Sequence, residues 1–180
     1  MARINPVQQN ANPKTQELLG AVKKNMGMVP NMISTMAQSP TVVQAYLRFN
    51  QTLAGGSLSA ALRQGISLAV SEANQCRYCL SAHSFLGSKV GLSELDVLDA
   101  RHGTASDDKT HAGLAFARKI IEDRGHVNDE DVEEVRRAGY TDGEIAEIVA
   151  NVALTTFTNY FNNIAGTEID FPVAPSLMAV

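Results

Sequence analysis

The stretch SLAVSEANQCRYCLSAHSFLG, residues 67–87, decides how this chain is read, because it holds both of its cysteines. Its beginning continues a helical pattern in which Leu62, Ile66, Ala69 and Val70 share one face. Asn74 is placed to end that helix, since asparagine tolerates the left-handed geometry that closes helices. A second helix then opens at the cysteines, with Cys76 and Cys79 in its first turn, where free N–H groups and the helix dipole lower thiol pKa values. In a helix running straight through, Glu72 joins the row four residues before Cys76, and its carboxylate pushes the thiol the other way. We read a break. Positions 76, 79 and 83 fall on one helical face, so His83 stands one turn beyond Cys79, where its imidazole can take the thiol proton.

Two thiols and an imidazole on one face are sufficient to reduce a peroxide. A thiolate attacks the peroxide oxygen and becomes a sulfenic acid, and the second thiol condenses with it to a disulfide. A structural staple is a poor alternative, because only Arg77 and Tyr78 lie inside the loop and a disulfide's benefit grows with loop length. Zinc wants four ligands, so His102, His111, His126 or Glu72 has to join Cys76, Cys79 and His83. Attached haem is excluded because Leu80, not histidine, follows the second cysteine. An iron–sulfur cluster lacks cysteines, and a thioredoxin fold needs strands that the chain does not signal. Burial of two thiols as small apolar side chains is the reading without chemistry.

Outward from this segment the chain reads as helix after helix. A helix from about Pro13 to Asn25 stops at Gly27, and Pro30 opens a short one. Ser39 and Pro40 start the next, which Gly55 and Gly56 end. Ser57 or Ser59 begins the helix before the cysteines. Ser93, Asn128 and Thr141 are caps of later helices, and Gly125 ends the one with acids in its first turn. The fold class is all-α, a single domain of eight or nine helices. It divides into N-terminal helices over about 13–55, a redox core over 57–90, C-terminal helices over 93–166 and an extended tail over 167–180. The last helix is apolar round much of its circumference, which suits a central position or a subunit interface, and Phe157, Tyr160 and Phe161 pack in one or the other. Met28, Met32 and Met36, spaced four apart, either line an apolar pocket or fill a core. His102 and His111 read as surface or capping residues.

Composition excludes several classes. The 180 residues are 44% hydrophobic and 19% charged, which fits a globular chain, and the net charge of −4 offers no footprint for nucleic acid. No apolar run approaches the roughly 18 residues of a membrane span. MARINPVQQNANPKTQ has no apolar stretch with a cleavage site, so a cytoplasmic location is expected.

The segment 67–87 resembles the core of the AhpD-like alkylhydroperoxidases, in the carboxymuconolactone decarboxylase superfamily. Four further stretches, KKNMGMVPNMISTMAQSP, AYLRFNQTLAGGSLSAALR, RRAGYTDGEIAEIVANVAL and TNYFNNIAGTEIDFP, resemble the peroxidase-related branch along most of the chain. The resemblance implies an all-helical AhpD-like fold, assembly into trimers or hexamers, and reduction of organic hydroperoxides with no metal and no cofactor. It implies that Cys79 is the peroxidatic thiol, that Cys76 resolves it and receives electrons from an external dithiol or redox protein, and that His83 is the base. Two positions depart from the family pattern. Gln64 stands where a glutamate twelve residues before the first cysteine completes a proton relay, and Tyr78 stands where a histidine follows two after it. In a hairpin reversing near Asn74, Gln64 faces His83 and can hold the imidazole, but it cannot relay a proton. Glu72 is the substitute acid if the helix is continuous, and Tyr78 either donates a hydrogen bond or covers the site. The expected function is therefore a cofactor-independent thiol peroxidase. The alternative is a dithiol–disulfide adaptor or sensor with little peroxidase activity of its own.

Overall fold

The computed structural model describes residues 2–7 and 12–177, and the last three residues of the expected tail lie outside them. Nine α-helices form among the described residues. They are α1 (Pro13–Met26), α2 (Asn31–Met36), α3 (Pro40–Ala54), α4 (Ala60–Ala73), α5 (Arg77–Lys89), α6 (Glu94–His102), α7 (Asp108–Glu122), α8 (Asp129–Arg137) and α9 (Asp142–Ala165). The local grammar sets their ends. Ser39 accepts from Val42 N–H and Ser59, not Ser57, accepts from Leu62 N–H, while Ser93, Asn128 and Thr141 each close a capping box with an acid three residues on. Beyond Gly166 the described tail residues, 167–177, follow without regular structure.

Helix α4 is the axis of the fold. It packs against α5, α6, α7 and α9, and its residues 65–71 are all buried. Gly65 permits the close approach of α7, since a methyl group there would stand 3.0 Å from Leu114 Cδ2. Two apolar clusters lie on either side of the α4–α5 hairpin. One joins Leu68, Val70, Leu114, Phe116, Ile148 and Val152, and the other joins Val22, Met32, Ile33, Met36 and Val43 to Cys76, Tyr78 and Cys79. The cysteines thus belong to the smaller cluster, beneath the N-terminal helices. Met32 and Met36 are core residues there, and Met32 also lines a cavity. Helix α9 is central, packing on α3, α4, α5 and α7, yet Val149, Phe157, Tyr160 and Ile164 leave an exposed apolar edge. No helix among the described residues is long and apolar enough to cross a membrane.

Glu72 is used in this framework. Its carboxylate accepts from Arg101 Nε at 2.7 Å, and Arg101, 1% exposed, also donates through Nη1 to the Pro175 carbonyl at 2.8 Å. The pair ties α4 and α6 to the tail. Removing the acid strands a buried guanidinium, so Glu72→Ala is expected to lower the unfolding free energy by about 2–3 kcal/mol in urea titration.

Candidate active site

The helix break falls at Asn74, where the sequence suggests, and the left-handed geometry falls on the next residue. Asn74 caps α4 with φ −87°, and it is Gln75 that takes the left-handed conformation at φ 53°. Gln75 N–H donates to the Glu72 carbonyl at 3.0 Å and Cys76 N–H to the Ser71 carbonyl at 2.9 Å, the paired closing bonds of a Schellman turn. Asn74 is engaged elsewhere. Its Nδ2 donates to Asn159 Oδ1 at 3.0 Å and its carbonyl accepts from Asn163 Nδ2 at 3.1 Å, so α9 holds the turn from outside.

This turn makes Cys76 the N-cap of α5, and its Sγ accepts from Cys79 N–H at 3.3 Å. Cys76 and Cys79 are joined as a disulfide with Cα atoms 5.3 Å apart, within the ordinary range for such a bond. Both are buried, at 0% and 2% exposure. Cys79, not Cys76, lines a cavity of about 130 Å³ between α2, α3, α5, α9 and the tail. Its walls include Met32, Leu47, Leu86 and Phe171, with Tyr46, Asn50, Gln64, Tyr78, His83 and Thr158 as the polar lining residues. Among the described residues no Lys, Arg, Asp or Glu lines it.

Gln64 meets His83 across the hairpin. Gln64 Oε1 lies 2.8 Å from His83 Nδ1. With the amide oxygen as acceptor, Nδ1 carries the ring proton and Nε2 keeps its lone pair, so the imidazole is held as a neutral base. Burial pulls His83 down from 6.5 to about 4. The neutral form is therefore the native form at neutral pH. Between about 4 and 6.5 the unfolded chain binds a proton at this site that the folded chain does not, so this contribution is complete above pH 6.5 and is lost as pH falls through about 4. For this half-buried side chain the expected loss is roughly 2–3 kcal/mol. Urea unfolding of wild type and His83→Asn between pH 7 and 4 should differ by that amount, and parallel curves would contradict it.

Tyr78 forms part of the cavity wall. Its Oη accepts from Met32 N–H at 3.2 Å, and its ring meets Phe171 edge-on at 5.8 Å. Burial, with Asp170 nearby, pushes its phenol well above the usual range. Tyr46 is raised to about 12, also by burial. Glu72, paired with Arg101, does not line the cavity. Among the described residues no three His, Cys, Asp or Glu side chains are grouped to hold a metal ion.

Sequence reasoning missed Asn162. From α9 its Nδ2 donates to Cys79 Sγ at 3.3 Å, while its Oδ1 is buried without a partner among the described residues. The available signal was a run of amides, Asn159, Asn162 and Asn163, near the end of the last helix. Two of them, Asn159 and Asn162, are buried and need partners, which are the α4–α5 segment and a cysteine.

This constellation on nine helices defines the class. Residues 40–123 match the family model of the carboxymuconolactone decarboxylase family, and the fold is AhpD-like. An uncharacterized peroxidase-related protein with an AhpD core from Ralstonia eutropha JMP134 is 26% identical, with 94% of each chain covered and a TM-score of 0.83. A peroxidase-related protein from Silicibacter sp. TM1040 is 23% identical, with 92% of each chain covered and a TM-score of 0.81. The debrominase Bmp8, in complex with 2,3,4-tribromopyrrole, is 24% identical over 94% of this chain and 92% of its own, with a TM-score of 0.80. No curated protein sequence matches the chain.

Proposed function

We propose that this protein reduces small organic hydroperoxides with its own thiol pair. The observation that carries the reading is the joining of Cys76 and Cys79 at the start of α5, with Cys79 and His83 opening on one apolar cavity. In the reduced protein His83 Nε2 takes the Cys79 proton, and the thiolate attacks the peroxide oxygen nearer to it. The O–O bond breaks, the alcohol leaves with that proton, and Cys79 becomes a sulfenic acid. Cys76 then displaces water and forms the disulfide. An external dithiol returns two electrons.

The cavity supports a compact, neutral substrate. Its 130 Å³ is comparable to the roughly 150 Å³ of an apolar cavity that takes benzene, and no cationic side chain lines it to receive a carboxylate. The apolar edge of α9, with Phe157, Tyr160 and Ile164 exposed, supports a homo-oligomer, the trimer or hexamer of the resemblance. In the direct test, reduced protein is mixed with cumene hydroperoxide. One cumyl alcohol should form for every two thiols lost. Thiol loss without alcohol would remove the peroxidase reading.

A second reading has a specific observation behind it. The partner of His83 is an amide that carries no charge, which suits a dithiol adaptor or sensor that cycles its disulfide with negligible peroxide turnover. Because a structural neighbour is a debrominase, 2,3,4-tribromopyrrole is the control substrate. Bromide release in place of alcohol formation would redirect the reading.

A further inference from the structure

Helix α9 sends two buried amides to the cysteine segment, and they are bonded differently. Asn159, 0% exposed, is satisfied at both ends by protein. Its Nδ2 donates to Ser71 Oγ at 3.1 Å, and its Oδ1 accepts from Asn74. That is how a structural amide survives burial. Asn162, three residues on and 3% exposed, gives its N–H to Cys79 Sγ and leaves its oxygen orphaned. A leucine of similar size would fill the space without stranding a carbonyl. Among the described residues the one side-chain bond that Asn162 makes goes to sulfur.

We propose that Asn162 is a catalytic residue whose amide N–H holds negative charge on Cys79 Sγ. The inference rests on reading Cys79 as the attacking thiol. When His83 takes the thiol proton, the electron pair left on Sγ receives the Asn162 N–H. That pair then forms the S–O bond as the peroxide O–O bond breaks, so sulfur is oxidised and the peroxide reduced. When an external dithiol later attacks Cys76, the S–S bond breaks and its electron pair returns to Cys79 Sγ. The same N–H meets it. Because the contact exists in the disulfide form, the donor is in place before that charge appears. The other titratable side chains facing this cavity are His83, Tyr46 and Tyr78, with Asp170 beside Tyr78.

The test reads the thiolate directly, without peroxide. In a Cys76→Ser background, where serine keeps the α5 cap, Cys79 is alkylated with iodoacetamide across pH. Asn162→Leu is expected to move the midpoint up by about one unit and leave the high-pH plateau within about twofold. Asn162→Asp keeps the shape and replaces the donor by a charge, so its midpoint should rise further. It also carries the test if the leucine variant does not fold. An unmoved midpoint in a folded variant overturns the proposal, as does a uniform loss of rate at every pH. The peroxidase reading fails separately: a shifted midpoint with no peroxide turnover sinks that reading while the Asn162 contact stands.

Discussion

Cys79→Ser is expected to bring cumene hydroperoxide turnover with a dithiol reductant down to the uncatalysed background. A serine hydroxyl has neither the acidity nor the polarisability of a thiol, and Cys79 is the cysteine whose side chain lines the cavity. Cys76→Ser should behave differently. It leaves the attacking sulfur, so one turnover survives, and the sulfenic acid then has no neighbour to trap it. Intact mass after one equivalent of peroxide should show one added oxygen on that variant and none on Cys79→Ser. The measurement is alcohol formation by chromatography beside that mass. Equal turnover in wild type and Cys79→Ser would end the claim, and the mirror-image mass result would exchange the roles of the two cysteines.

Gln64→Glu is expected to raise the same rate by about 10- to 100-fold. At about 4, His83 is a weak base for a thiol whose ordinary pKa lies near 8.5. The Gln64 amide orients the ring but offers no charge to stabilise an imidazolium. A carboxylate in its place, at the same 2.8 Å from Nδ1, raises the imidazole pKa by roughly 1–3 units and makes the transfer correspondingly easier. The acid limb of the pH–rate profile should move upward with it. A rate and profile identical to wild type would mean that proton transfer from Cys79 does not limit the reaction. The dithiol adaptor would then be the better reading.

Much of the site was legible because it is local. Cap residues, acids three places beyond them and prolines at first turns gave the helix starts, since these act within a few residues. The spacing of Cys76, Cys79 and His83 follows from a single helix, and the meeting of Gln64 with His83 follows from a hairpin that reverses midway between them. The left-handed residue was misplaced by one. Asparagine has the better intrinsic tolerance for that geometry, but the Asn74 amide is spent on Asn159 and its carbonyl on Asn163. Gln75 takes the positive φ in its stead. Glu72 was a candidate acid from its position in the row, and it turned out to face Arg101, 29 residues away.

By itself the sequence determined an all-α chain, the break before the cysteines, the cysteine pair with His83 one turn on, and the neutral amide at position 64 that meets it. Each of these depends on contacts within one helix or one turn, which residue type and spacing specify. The tertiary structure alone decided that Cys79 rather than Cys76 opens on the cavity, that the cavity is small and lined without charge, and that Asn162 reaches the sulfur from α9. Those facts require surfaces more than 80 residues apart to meet, and no periodicity encodes where a distant helix will lie once the apolar faces of α4, α5 and α9 have been buried together.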